Sequence, residues 1–296
     1  MQTAAYHLAL YRQEVDVALD LETVGSRIGP VTTTYDWRDV ALYALGLCAT
    51  TEDLPYLLDD PPPKVLPTFG VVPAFAPVFD ALRKTGGNLV TLLHSAQRTE
   101  LVRPFPAQGT MTTTAEIAGI WDMKVGALVE VRTETEVDGQ AAARTIWHLL
   151  FRGEGGFRGP RPPKLLATKP PADVPPAFRV EVPTTRTLPL LYRLNGDVNP
   201  IHSHPEVARA AGFERPILHG LCFYGIAARV ALQQLAGDDP SRFRAIEARF
   251  ASVVMPGDTL IVEGWLLEES GQAALTVTVK ETGEKAIANA RFEFEP

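Results

Sequence analysis

The chain has 296 residues and 46% apolar content, enough for one large or two modest domains with a full core, and a formal net charge of −7 at pH 7. That balance argues against a broad nucleic-acid partner, which needs a basic face, while leaving room for a small anionic ligand held by a few local arginines. Two cysteines, Cys48 and Cys222, suit packed thiols in a reducing compartment better than a disulfide frame, so a cytoplasmic location is expected. The opening MQTAAYHLALYRQEVD has neither a basic leader nor a long apolar stretch, and no uncharged apolar run of about eighteen residues follows, so neither signal peptide nor membrane span is predicted.

In chain order, the pattern predicts an apolar helix over 37–49, then a proline-led helix over 69–82. Strands follow over 90–103, 109–122, 128–137 and 141–152. Eight prolines and several glycines between Gly153 and Pro183 read as an extended linker. Beyond it the order recurs: a helix over 188–194, a core helix over 218–235 that is apolar almost all round and stops at Gly237, and strands over 244–253, 259–268, 273–281 and 286–295. Gly46 and Gly196, Gly70 and Gly220, and Pro106 and Pro256 each stand 150 residues apart, which marks an internal repeat. Antiparallel strands wrapped around a buried helix, made twice, give an α+β fold. The expected division is 1–152 for an N-terminal repeat, 153–183 for the linker and 184–296 for a C-terminal repeat.

Chemistry concentrates in Leu194-Asn195-Gly196-Asp197-Val198-Asn199-Pro200-Ile201-His202. Gly196 admits unusual backbone angles, Asn199 is pushed from the helical region by the next proline, and Pro200 fixes its own φ, so Asp197 and His202 are held in a set relation. A carboxylate and an imidazole so placed can grip one water and move its protons. At the repeat offset Asp197 corresponds to Leu47 and His202 to Glu52, which leaves one site per chain. Ser203 or His204 is expected to cap a short helix starting at Pro205 and ending at Gly212. Gly220 falls in the first turn of the core helix, where a free N–H and the positive end of the helix dipole can meet a developing oxyanion.

Asp197-Val198-Asn199-Pro200-Ile201-His202 followed by Pro216-Ile217-Leu218-His219-Gly220-Leu221 resembles the type-2, R-specific enoyl-CoA hydratases, the MaoC-like dehydratases with the hot-dog fold. Leu66-Pro67-Thr68-Phe69-Gly70, His94-Ser95-Ala96-Gln97 and Leu101-Val102-Arg103-Pro104-Phe105-Pro106 are similar to the first repeat of the long, double hot-dog members, so the likeness spans nearly the whole chain beyond about Thr23. The resemblance implies reversible syn hydration of a trans-2-enoyl-CoA to a (3R)-3-hydroxyacyl-CoA, a lyase reaction of fatty-acyl metabolism. The site it implies is Asp197, His202 and the Gly220 amide, with Asn199 supporting the pair toward substrate. A homodimer is implied, and the decayed first repeat would make room for a bulky acyl chain. Asp59 and Asp60 stand where some long members have a further functional acid, and neither is assigned that role.

On this reading Asp197 takes a water proton, His202 holds the same water and delivers a proton to C2, and Gly220 holds the thioester oxygen; two groups sharing a water can exchange these roles. No metal or redox cofactor is required. Phe69, Phe75 and Phe79 are candidates to line an acyl tunnel, Arg98, Arg103 or Arg249 to meet the CoA phosphates, and His94 reads as structural. The rival readings are a 3-hydroxyacyl-acyl-carrier-protein dehydratase, a non-catalytic acyl-thioester-binding hot dog, and a metal site built from Asp197, His202, His204 and His219.

Overall fold

The structure, a computed structural model, describes residues 19–163 and 168–296. The opening stretch read for a leader, and residues 164–167 of the linker, lie outside the described residues. The first repeat contributes β1 (Arg27–Tyr35), α1 (Trp37–Gly46), α2 (Phe75–Lys84), β2 (Leu92–Leu101), β3 (Gly109–Asp122), β4 (Gly126–Val137) and β5 (Gln140–Arg152). The second contributes β6 (Phe178–Pro183), α3 (Leu188–Tyr192), α4 (Pro205–Ala210), α5 (Gly220–Leu235), β7 (Phe243–Phe250), β8 (Thr259–Leu266), β9 (Gln272–Val279) and β10 (Lys285–Phe294).

Among the described residues, ten strands join one antiparallel sheet in the order β1-β3-β4-β5-β2-β7-β10-β9-β8-β6. Each half has the same internal order, and the halves meet where β2 pairs β7, from Ala96 opposite Arg249 to Glu100 opposite Ala245. This is the double hot dog, with α2 inside one half and α5 inside the other.

Three local readings need correction. Residues 178–183, placed in the linker by composition, form β6 and pair β8 from Phe178 opposite Gly264 to Pro183 opposite Thr259. Its counterpart β1 also went unread, because Gly29-Pro30 and a largely exposed face disguise it; both are edge strands, where proline and weak alternation are tolerated. The helix expected over 69–82 splits into a 3-10 turn, Pro67–Val71, and α2 from Phe75. Pro73 and Pro77 explain the split, since neither can donate to the ladder and Pro77 is tolerated only in a first turn. A smaller difference lies at α4, where His204 is the N-cap but its side chain makes no capping bond.

α5 is buried continuously from Leu221 to Leu232. Its single charge, Arg229, is buried against Asp53 at 3.0 Å and also donates to the carbonyls of Leu47 and Cys48 at 3.2 Å each. Gln233 Nε2 donates to the same carboxylate at 2.7 Å, and the Thr50 N–H donates to its other oxygen at 2.8 Å. Leu47 fills the notch left by Gly225, where a Cβ would come within 2.6 Å of the leucine side chain. The loop at the repeat position of the Asp197–His202 turn is thus a packed and ion-paired joint between the halves.

Candidate active site

The turn takes its shape from the residues that break helix. After α3 a 3-10 turn over Arg193–Asn195 ends at Gly196, whose φ of +118° lies in the left-handed region. A Cβ there would also sit 3.1 Å from the Phe75 ring, so the position needs glycine twice over. Asn199 Oδ1 accepts from the Ile201 N–H at 3.2 Å, capping a second 3-10 turn, Pro200–His202, and Asp197 Oδ1 accepts from the Asn199 N–H at 3.3 Å. Asn199 therefore shapes the turn with its oxygen and also lines both adjoining cavities.

His202 Nδ1 donates to the Ile217 carbonyl at 2.9 Å, which fixes the tautomer and leaves Nε2 as an acceptor. A carboxylate oxygen of Asp197, a ring nitrogen of His202 and a ring nitrogen of His219 lie within 4.8 Å of one another. Burial pushes the Asp197 carboxyl above the ordinary range, opposed by His202 and by the Asn199 N–H. Burial likewise pushes His202 below its ordinary value, opposed by Asp197 and the Ile217 carbonyl. Burial thus favours the uncharged imidazole, with a free lone pair on Nε2, and makes the Asp197 carboxylate, once ionised, a stronger base than an exposed one.

Gly220 is the first residue of α5, so its N–H lies outside the helical ladder, and no described backbone carbonyl accepts from it. It lines a cavity of about 130 Å³ together with Asp197 and His202. The opposite wall comes from the first repeat: Phe75, Val78, Phe79 and Leu82 of α2, Leu92 and His94 of β2, and Trp147 of β5. A second cavity of about 460 Å³ adjoins it, sharing Phe75, Phe79 and Asn199, with Phe69 in its lining. The polar chemistry comes from the second repeat, and both repeats supply apolar lining, the second through Ile217, Leu221, Phe223 and Phe250.

Among the remaining candidates, His94 stacks on Trp147 at 5.1 Å and 11°, meets Phe250 edge-on at 5.0 Å, and is held neutral by burial, its pKa pushed down to about 3. It thus faces the cavity, which the structural reading of an isolated strand-end histidine did not anticipate. Asp59 and Asp60 are exposed and line neither cavity. Arg98 is committed to Glu293 at 3.1 Å and Glu247 at 3.5 Å, and Arg103 donates to Gln140 and the Val137 carbonyl, so neither is free for a phosphate. Arg249 is exposed.

The Asp197, His202 and His219 donor set fits a metal ion poorly. The two imidazoles are stacked, with centroids 3.7 Å apart and planes at 27°, so in-plane lone pairs at ~2.1 Å metal–nitrogen reach cannot converge on one ion. His204 bonds Ser203 Oγ at 2.9 Å instead. Sequence reasoning missed Trp147 and the Ile217 carbonyl, which carry no local signal, and left His219 aside although it stands next to Gly220.

A carboxylate and imidazole on a rigid turn share one cavity with a helix-start amide inside a double hot dog, as the likeness to the MaoC-like hydratases and dehydratases implied, and this chain belongs to that family. A MaoC-like domain is matched over residues 168–290 and an MFE-2 hydratase 2 N-terminal domain over 33–153. Among relatives, the 3-hydroxyacyl-thioester dehydratase Y of Mycobacterium tuberculosis is 38% identical over 85% of this chain and 89% of its own length. The enoyl-CoA hydratase ChsH3 of the same organism is 36% identical over 96% and 99%. The solved MaoC-like dehydratase of Phytophthora capsici superposes with a TM-score of 0.84 at 30% identity, covering 94% of this chain and 98% of that one.

Proposed function

We propose that the protein adds water to trans-2-enoyl-CoA thioesters, giving (3R)-3-hydroxyacyl-CoA, and catalyses the reverse dehydration, as a hydro-lyase of fatty-acyl metabolism. One observation carries the reading: a carboxylate oxygen of Asp197 and a ring nitrogen of His202 are no more than 4.8 Å apart beside an unengaged helix-start amide. A water bonded at ~2.8 Å to two atoms at that separation opens an angle of at most about 118°, close to tetrahedral, so side chains this close can share one water.

His202 Nε2, an acceptor in the resting tautomer, takes one water proton while the oxygen attacks C3. The imidazolium is steadied by the Asp197 carboxylate and the Ile217 carbonyl, and negative charge moves to the thioester oxygen, where the Gly220 N–H receives it. His202 then returns the proton to C2 on the same face, so atoms balance and addition is syn. This order gives His202 the base role that residue types alone assigned to Asp197, with Asp197 as anchor of the water and counter-charge. The scheme uses no cofactor.

The relative named 3-hydroxyacyl-thioester dehydratase Y supports the reverse direction at the same site. An acyl-carrier-protein thioester is the alternative substrate. A homodimer and a cytoplasmic location complete the proposal; the free thiols Cys48 and Cys222 suit a reducing compartment. No helix among the described residues is long and apolar enough to cross a membrane. The test is the fall in enone absorbance when the protein is mixed with crotonyl-CoA and longer enoyl-CoA thioesters, with product chirality read by R- and S-specific dehydrogenases. No absorbance change at any chain length would reject the activity.

A further inference from the structure

His219 occupies the N-cap position of α5 and makes no capping bond with its side chain. N-caps ordinarily use a short oxygen-bearing side chain to satisfy the helix's first N–H groups. Here the ring turns away from its own helix, is fully buried, and packs behind the catalytic turn. One face stacks on His202 at 3.7 Å, and Tyr192 tilts against it at 5.0 Å and 50°. Its Nε2–H donates to the Asp197 carbonyl at 3.2 Å, while Nδ1 is buried without a partner.

A buried nitrogen with no partner is a standing cost to stability, and an apolar ring would pack there without it. From this geometry we propose that His219 is the positioning residue of the site: one side chain ties the Asp197 backbone, the plane of the His202 ring and the Gly220 amide, one peptide along, into a single rigid unit. It does not line the reaction cavity, so it acts through those three groups and does not touch substrate. Burial, reinforced by neighbouring His202, keeps it uncharged, so its stacked ring does not repel the imidazolium formed in the cycle. Of its three contacts, the bond to the Asp197 carbonyl is the one that sets the carboxylate against the amide, and displacements of about 1 Å at such a site lower rates by about 100-fold.

This inference rests on the hydratase reading, and two substitutions test it. His219→Phe keeps a flat ring against His202 and removes both nitrogens; His219→Gln keeps an N–H donor near the Nε2 position and removes the ring. In the Phe variant kcat for crotonyl-CoA is expected to fall about 10- to 100-fold, with KM within about threefold and a melting temperature equal or higher. The Gln variant should recover kcat to within about fivefold of the parent. A Phe variant with parental kcat overturns the proposal, as does one that no longer folds, because packing alone would then explain the residue. A folded Gln variant no faster than Phe also overturns it; should Gln not fold, the Phe result decides. An unsubstituted protein with no hydratase activity instead sinks the functional reading itself.

Discussion

If one water is shared by Asp197 and His202, removing either partner should cost nearly as much as removing both. Loss of a general base typically slows a reaction by ~10²–10⁴. In His202→Asn the side-chain amide still reaches the Ile217 carbonyl, so the turn is kept while the Nε2 acceptor is lost. Asp197→Asn keeps the shape and removes the charge that anchors the water and balances the imidazolium. Each single variant is expected to lose about 10³ in kcat, roughly 4 kcal/mol of barrier. Independent contributions would give the double variant about 10⁶, but a shared water predicts about 10³ to 10⁴, with the residual rate supplied by the Gly220 amide and the shaped cavity. The assay is initial-rate loss of enone absorbance with crotonyl-CoA, run on variants whose thermal melts show an intact fold. Fully multiplicative losses, or a single variant with near-parental rate, would refute the shared-water geometry.

Three further outcomes follow from the same structure. In Gly220→Ala the nearest atoms to the new Cβ are those of the Phe250 ring, at 3.5 Å, an ordinary contact, so melting temperature should be unchanged while the methyl crowds the thioester oxygen and kcat drops about 10²-fold; a parental kcat would refute a close approach of that oxygen to Gly220. Asp53→Ala strands the buried Arg229 charge and should cost about 3–5 kcal/mol, with a coupling of at least ~2 kcal/mol in a cycle with Arg229→Met; denaturant melts showing coupling under ~0.5 kcal/mol would discount the joint. The third concerns pH. Asp197 is raised and His202 lowered, so the working state, carboxylate plus neutral imidazole, fills as pH rises, and kcat/KM should show an acid limb that shifts in Asp197→Asn, where His202 alone sets it. A raised carboxyl pKa means the folded state holds that proton more tightly than the unfolded one, so ionisation at pH 7 lowers stability. Asp197→Asn should therefore melt higher at pH 7, with the gain vanishing below about pH 4; equal gains at both pH values would contradict the burial argument.

The repeat, the helices and most strands were legible because they follow rules of spacing. Apolar residues on every face of 220–235 require burial, and the 150-residue offset between Gly70 and Gly220 requires a second copy of the same unit. The reactive turn was legible for a similar reason, since Gly196, Asn199 and Pro200 restrict their own backbones whatever surrounds them. The edge strands were not legible: β1 and β6 exist because β3 and β8 offer them hydrogen-bond partners, while their own sequences carry glycine, proline and exposed side chains.

The site divides the same way. By itself the sequence determined which residues could handle a proton and that only the second repeat has them. Tertiary structure alone decided how they are poised. The Ile217 carbonyl chooses the His202 tautomer, burial between α2 and the turn moves both pKa values, and Trp147 and Phe75 of the other repeat close the cavity wall. None of these is a property of a local segment. A hydrogen-bond acceptor, a low dielectric and an apolar wall each arise from chain brought together over long sequence separations, and they exist only once both hot dogs have packed.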